Sequence, residues 1–173
     1  MPVSRVANSE TFAVSTPSAV EIRLERLFNA SPDLLFDAIT KPEHVVHWWG
    51  CLDDRYSMRI CEIDLRVGGK WRFALRGPDG DIPAFYGTYS EIVRPDHLVN
   101  TEFFEPFPDA GSVVMTTLTV DHGKTRLVLL CTYPSQQVRD MVLASGMEHG
   151  AAVGYDRLEE RAAWMAGGTA SSV

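Results

Sequence analysis

Positive charge is in short supply in this chain: 16 Lys and Arg stand against 23 Asp and Glu, a formal net charge of −7. Neutralising a phosphate backbone needs a basic footprint, so nucleic acid is excluded as a main partner. No apolar run approaches the roughly 20 residues needed to span a bilayer, and residues 1–18 lack a basic segment followed by an apolar one. Membrane insertion is therefore not expected, and the cytoplasm is the default location. Only three cysteines occur, Cys51, Cys61 and Cys131, with no CxxC pair among them, which leaves no disulfide framework and points to reduced thiols. There is no GxSxG nucleophile elbow, and Gly68-Gly69 leads into a strand instead of a helix, so it makes a turn and not a phosphate cradle.

What is present is an ordinary globular composition, 173 residues with 45% hydrophobic and 23% charged side chains, close to the usual size of one domain. Residues 1–18 are rich in Ser, Thr and Asn and read as a tail, at most part-ordered. From Val20 to Phe28 apolar and charged residues alternate with a period of two, as a half-buried strand requires. Ser31 before Pro32 suits a helix N-cap with proline at the first helical position, and Pro42 closes that helix and opens another that runs to Trp48-Trp49-Gly50. Met58 onwards reads as an antiparallel meander of strands separated by Gly68-Gly69, Gly77-Pro78-Asp79-Gly80, Arg94-Pro95-Asp96 and Asp121-His122-Gly123-Lys124. Glu105 to Gly111, with two prolines, reads as a longer loop. After Pro134 the period becomes helical for about thirty residues, predicting one long amphipathic helix that ends at Gly167-Gly168.

This order predicts an α+β fold in which a curved antiparallel sheet of about seven strands wraps on a long C-terminal helix, with two short helices after the first strand. The expected domain spans 19–166, followed by a polar tail at 167–173. One helix cannot cover so wide a sheet, so a cavity between them is expected, lined by inward strand residues and the helix stripe. Candidates to line it are Trp48, Trp49, Met58, Trp71, Phe73, Tyr86, Phe103, Met115, Met141, Met147, Ala151 and Tyr155. Taken singly, each is equally an ordinary core residue. Whether Tyr86 or Phe85, and Phe103 or Phe104, points inward depends on register, since a one-residue slip exchanges the faces. Gly146, Gly150, Ala151, Ala152 and Gly154 crowd the long helix; either it packs backbone-to-sheet there or space remains beneath it.

Four ordered blocks carry a family resemblance. Ala30 to His44 running on to Trp48-Trp49-Gly50, Val67-Gly68-Gly69-Lys70-Trp71-Arg72-Phe73, Tyr86-Gly87-Thr88-Tyr89 and Gly146-Met147-Glu148-His149-Gly150 with Tyr155-Asp156-Arg157-Leu158 resemble the SRPBCC, or START-like, superfamily. More narrowly they resemble the group related to the C-terminal domain of the Hsp90 ATPase activator Aha1. The resemblance implies the helix-grip fold with a deep apolar cavity. It implies no single function, because members bind lipids, sterols or polyketides and some are cyclases or hydrolases. Ala151 stands where the group commonly places Trp, a loss that enlarges the cavity unless Tyr155 and Met147 refill it.

Few side chains suggest chemistry. His44 and His47 are three apart on a helix beside Glu43, but zinc would need a third protein ligand, so no metal and no cofactor are expected. Glu148 and His149, on the helix that borders the expected cavity, are candidates to move a proton or polarise a carbonyl. Glu102 and Glu105 flank Phe103-Phe104 and read either as guards of a cavity mouth or as solvent-facing strand residues. The leading expectation is a protein that encloses a small, largely apolar molecule, lipid-like or polycyclic aromatic. The alternatives are a cyclase, dehydratase or hydrolase using Glu148 or His149, and an Hsp90 co-chaperone-like partner. A homodimer through a sheet edge or the Trp pair is also open.

Overall fold

A computed structural model describes residues 4–8 and 12–167, residues 4–8 by their backbone. The elements run β1 (Ser4–Asn8), β2 (Phe12–Thr16), β3 (Glu21–Phe28), α1 (Pro32–Thr40), α2 (Pro42–Val45), β4 (Ser57–Ile63), β5 (Lys70–Gly77), β6 (Gly80–Asp81), β7 (Phe85–Val93), β8 (His97–Phe104), β9 (Phe107–Asp121), β10 (Lys124–Thr132), α3 (Gln136–Ala144) and α4 (Met147–Met165). The strands form one antiparallel, curved sheet in the order β1-β2-β3-β10-β9-β8-β7-β5-β4, with β6 beside β5. Helices α1 and α4 cover its concave face, which is the helix-grip arrangement that the order of signals predicts.

Three expectations are corrected. The stretch 1–18, read as a tail, carries β1 and β2, and β2 pairs with β3 through Val14 opposite Leu24. Polar Ser and Thr between apolar residues obscured the alternation, yet Phe12 and Val14 are fully part of the core. Glu105 to Gly111 is not a loop: β9 starts at Phe107, opposite Phe104. Its partner on the other side, β10, begins pairing only at Val113, so Pro108 lies where β9 is a free edge and no ladder bond is lost. The long helix is two helices, because Gly146 takes a left-handed φ of 83° that an α-helix cannot contain. The expected tail 167–173 lies, after Gly167, outside the described residues.

Local signals place the first helix as read. The Ser31 hydroxyl accepts the Leu34 amide at 3.3 Å, Pro32 opens the helix, and Leu35, Phe36 and Ala38 face the core. Ser31→Ala should lower stability by about 1 kcal/mol, the usual worth of an N-cap, as a shift in urea midpoint at constant slope.

The inner face of the sheet is the odd-numbered face of β5 and the even-numbered face of β3. Ile22, Leu24 and Phe28 of β3 meet Leu127, Leu129 and Cys131 of β10, then Val114 and Leu118 of β9. Tyr155 of α4 is the joint: its ring lies edge-on to Phe12 (5.9 Å between centroids) and Phe28 (5.8 Å), and 6.5 Å from Trp48. A cation enters this layer, Arg26, which pairs with Asp156 of α4 and lies over the Phe28 ring.

Candidate functional site

Register decides which aromatics face the helices. Phe73 stands opposite Phe85, and Phe85 opposite Phe104, so these three share the inner face. Trp49 sits on that row, 5.0 Å from Phe73 and 5.2 Å from Phe85. Tyr86 and Phe103 therefore turn outward, where they stack on each other at 5.5 Å. Met115 also faces out, 40% exposed, between the inward Val114 and Thr116. Met141 is 46% exposed on α3. Of the lining candidates, Trp48, Trp49, Trp71, Phe73, Met147, Ala151 and Tyr155 are brought to the inner layer, and Tyr86, Phe103, Met115 and Met141 are not. Met58, half-buried against the core, also borders an outer groove.

Packing under α4 is uneven. Tyr155, Leu158 and Ala162, in its second half, are closed off from solvent. Met147 and Ala151, in its first two turns, keep accessible surface although they lie on the same stripe. The sheet shows the matching gradient: Trp71, Phe73, Val114 and Leu118 are shut in, whereas Phe85, Phe104 and Leu129 remain half-buried on the same face. At Gly154 the helix passes close to Trp48, where a Cβ would stand 3.4 Å from its carbonyl, an ordinary contact. The Trp48 indole donates to the Ala38 carbonyl at 3.0 Å and so is a packed element, not a contact surface.

Glu102 lies on this inner face, two residues before Phe104. It stands on β8 opposite Ser112, which is buried on β9, and the surrounding protein encloses it while its side chain keeps some accessible surface. Among the described residues no cation and no hydrogen-bond donor pairs with its carboxyl. Burial alone pushes that carboxyl up to about 7, because removing an ion from water without a counter-charge favours the protonated form. Its neighbours are polar but uncharged. Burial first, and the Glu102 charge after it, raise the Cys131 thiol. Burial, then Cys131, then Glu102 raise the Tyr133 and Tyr155 phenols well above their ordinary value. The Tyr133 hydroxyl and the Cys131 thiol share a hydrogen bond, whereas that of Tyr155 has no partner among the described residues. Such a set can hold a polar group in apolar surroundings, or give and take a proton near neutral pH.

The other candidates fall outside this region. His149 is exposed and lies on the side of α4 away from the sheet, about two turns before the exposed Asp156. Glu148 is half-buried at the flank of the stripe. Glu105 is on the rim, pairing with Arg72 and accepting the Ala84 amide at 2.8 Å. His44 accepts the Arg161 Nε–H at 3.2 Å; burial and that guanidinium hold the imidazole below its ordinary value. Burial raises all three thiols, Cys61 to about 11, so none is a ready nucleophile. An open outer groove of about 390 Å3 runs past Val46, His47, Cys51, Asp53, Tyr56 and Arg157. Of its two acids, Asp53 is spent on Arg55, whose side chain and backbone hydrogen bonds hold the carboxyl at about 2.

A curved antiparallel sheet gripping the last long helix over an apolar interior is the arrangement of START-like proteins. Residues 29–163 match the family of Activator of Hsp90 ATPase homolog 1-like proteins, and the chain belongs to that family. A crystal structure from Rhodobacter sphaeroides is similar at 25% identity and a TM-score of 0.81, covering 88% of this chain and 99% of that one. Crystal structures from Mycobacterium smegmatis (23% identity, TM-score 0.73, 92% and 96% covered) and Nitrosomonas europaea (20%, 0.73, 86% and 99%) share the fold. No curated protein matches the chain. No described helix is long and apolar enough to cross a membrane.

Proposed function

We propose that this protein binds a small, largely apolar molecule, lipid-like or polycyclic aromatic, between the inner face of the sheet and the first turns of α4. The observation that carries this reading is the gradient of packing. Met147, Ala151, Phe85, Phe104 and Leu129 all lie on inward faces yet retain accessible surface, and Glu102, on the inward face of β8 two residues from Phe104, has no partner among the described residues. A core built for stability alone closes such surfaces and places no unpaired acid beside them. The family is compatible with ligand binding and with co-chaperone roles.

The test is native mass spectrometry of freshly purified protein, followed by fluorescence titration with alkyl and polycyclic aromatic probes. Binding is expected for wild type and should fall at least about tenfold on Ala151→Trp, which fills the space under α4 without altering the buried stripe at Tyr155 and Leu158. Equal binding by both proteins, or none by wild type, refutes the site.

An enzymatic reading is favoured by one observation, the enclosed carboxyl at about 7, the value a general acid or base needs near neutral pH. It assigns the proton transfer to Glu102 in place of Glu148 or His149. A pH–rate profile that keeps its shape in Glu102→Gln would remove it.

A further inference from the structure

The inward face of β8 carries one acid, Glu102, and no base stands opposite it. Around Glu102 the packed elements present Asn100 from its own strand, Ser112 from β9, Cys131 and Tyr133 from β10, and Tyr155 from α4. Asn100 is turned to the backbone, its Nδ2 donating to the Thr101 carbonyl at 3.1 Å. The inward cation of the layer, Arg26 on β3, pairs through Nη1 with the exposed Asp156 while its buried Nε–H has no partner among the described residues, and it offsets nothing at Glu102. Arg139 of α3 is likewise engaged, by Asp140 and by the Ser18 carbonyl at 2.8 Å. Glu148, the remaining ionisable group beside the α4 stripe, is of the same sign as Glu102.

We infer that the ligand held under α4 is an apolar molecule carrying a basic nitrogen, with the Glu102 carboxylate as its counterion. This rests on the binding function proposed above and adds the chemistry of the ligand's polar end. The reasoning is electrostatic. A carboxylate or phosphate ligand would bring a second negative charge into a site with no free cation, where water no longer screens the repulsion. A neutral ligand leaves the acid uncompensated. A protonated amine supplies the missing charge, and the ion pair it forms gains from the same low dielectric that makes the empty site costly. The free Tyr155 hydroxyl adds an acceptor for one N–H of the ammonium. A net charge of −7 also favours the approach of cations over anions.

Three probes of one shape separate the possibilities: 2-naphthylmethylamine, 2-naphthylmethanol and 2-naphthoate, titrated by calorimetry at pH 8 against wild type and Glu102→Gln. In wild type the amine should bind at least about tenfold more tightly than the alcohol, with the carboxylate weakest. In Glu102→Gln the amine should lose that advantage while the alcohol binds as before or better. Between pH 6.5 and 5.5 amine affinity in wild type should fall up to about tenfold, because the acid must first release its proton, and heats in buffers of different ionisation enthalpy should reveal that release. Equal affinity for the three probes, or an amine preference unchanged by Glu102→Gln, overturns this inference and leaves the binding function standing. Failure of all three to bind overturns both. The wild-type series and its pH dependence need no variant, so the result does not depend on the folding of Glu102→Gln.

Discussion

Replacing Glu102 by glutamine should make the protein more stable at pH 8, by about 3 kcal/mol, and should leave it unchanged at pH 4. The sign follows from where the proton sits. In the unfolded chain a glutamic acid ionises around 4.5, and in the folded protein Glu102 does so at about 7. Below pH 4.5 both states hold the proton and the buried acid carries no ionic penalty. Between the two values the unfolded chain releases its proton while the folded protein keeps it, so stability declines by about 1.4 kcal/mol per pH unit. Above pH 7 both are ionised and the whole difference has been lost, about 3 kcal/mol. Glutamine has the same shape and no charge, so urea unfolding of the variant should show the pH slope of wild type with this component removed. Parallel curves for the two proteins between pH 4 and 8 would mean that Glu102 reaches water freely, and the enclosed site would be gone. An acid that weakens the fold at neutral pH stands where Gln would serve packing better, the pattern expected of a group used for binding or chemistry.

The second large effect is expected at Gly87. A Cβ built there would come within 1.8 Å of the Thr101 carbonyl oxygen and 2.7 Å of the Trp71 indole nitrogen. Strand β7 has no side chain at this point because the Trp71 indole crosses it to donate to the Thr101 carbonyl at 3.1 Å. Gly87→Ala must push strand β8 away and break that bond, at a cost of about 3 kcal/mol from overpacking and an orphaned buried N–H together. Since the nearest obstacle is backbone, shrinking Trp71 to Phe should not rescue the variant. Denaturant midpoints of the single and double variants test this, and full rescue by Trp71→Phe would contradict it. Thr101 precedes Glu102, so a displaced β8 should also weaken probe binding.

How far the sequence carried the argument can be traced to particular residues. Ser31-Pro32, Pro42 and the turns at Gly68-Gly69, Arg94-Pro95-Asp96 and His122-Gly123 act through local backbone preference, and elements governed by such preferences fall where they were expected. Face assignment is different. Phe85-Tyr86 and Phe103-Phe104 are adjacent aromatic pairs, equally apolar on both sides of their strands, so alternation carries no information there and only pairing to Phe73 settles it. The same ambiguity hid Glu102: its neighbours in sequence are Thr101 and Phe103, and an acid beside an inward-facing aromatic reads as solvent-facing. Once Phe104 points inward, Glu102 must as well. Glu148 and His149 lie on the right helix, but His149 stands six residues before Tyr155, a phase that turns it outward. The β1-β2 hairpin stayed invisible because its polar composition resembles that of a terminus.

Strand β3 lies near the start of the chain and closes the sheet against β10, about a hundred residues later. Strands β7 to β9 are a meander of sequence neighbours and can zip together as they are made. The earliest strands can pair only among themselves, β1 with β2 and β2 with β3, which leaves their inner face uncovered. On the ribosome, Ile22, Leu24 and Phe28 emerge long before any surface exists to receive them. The nascent protein therefore exposes a greasy ribbon through most of its synthesis, a natural target for holding chaperones, until the last hairpin and α4 arrive to cover it.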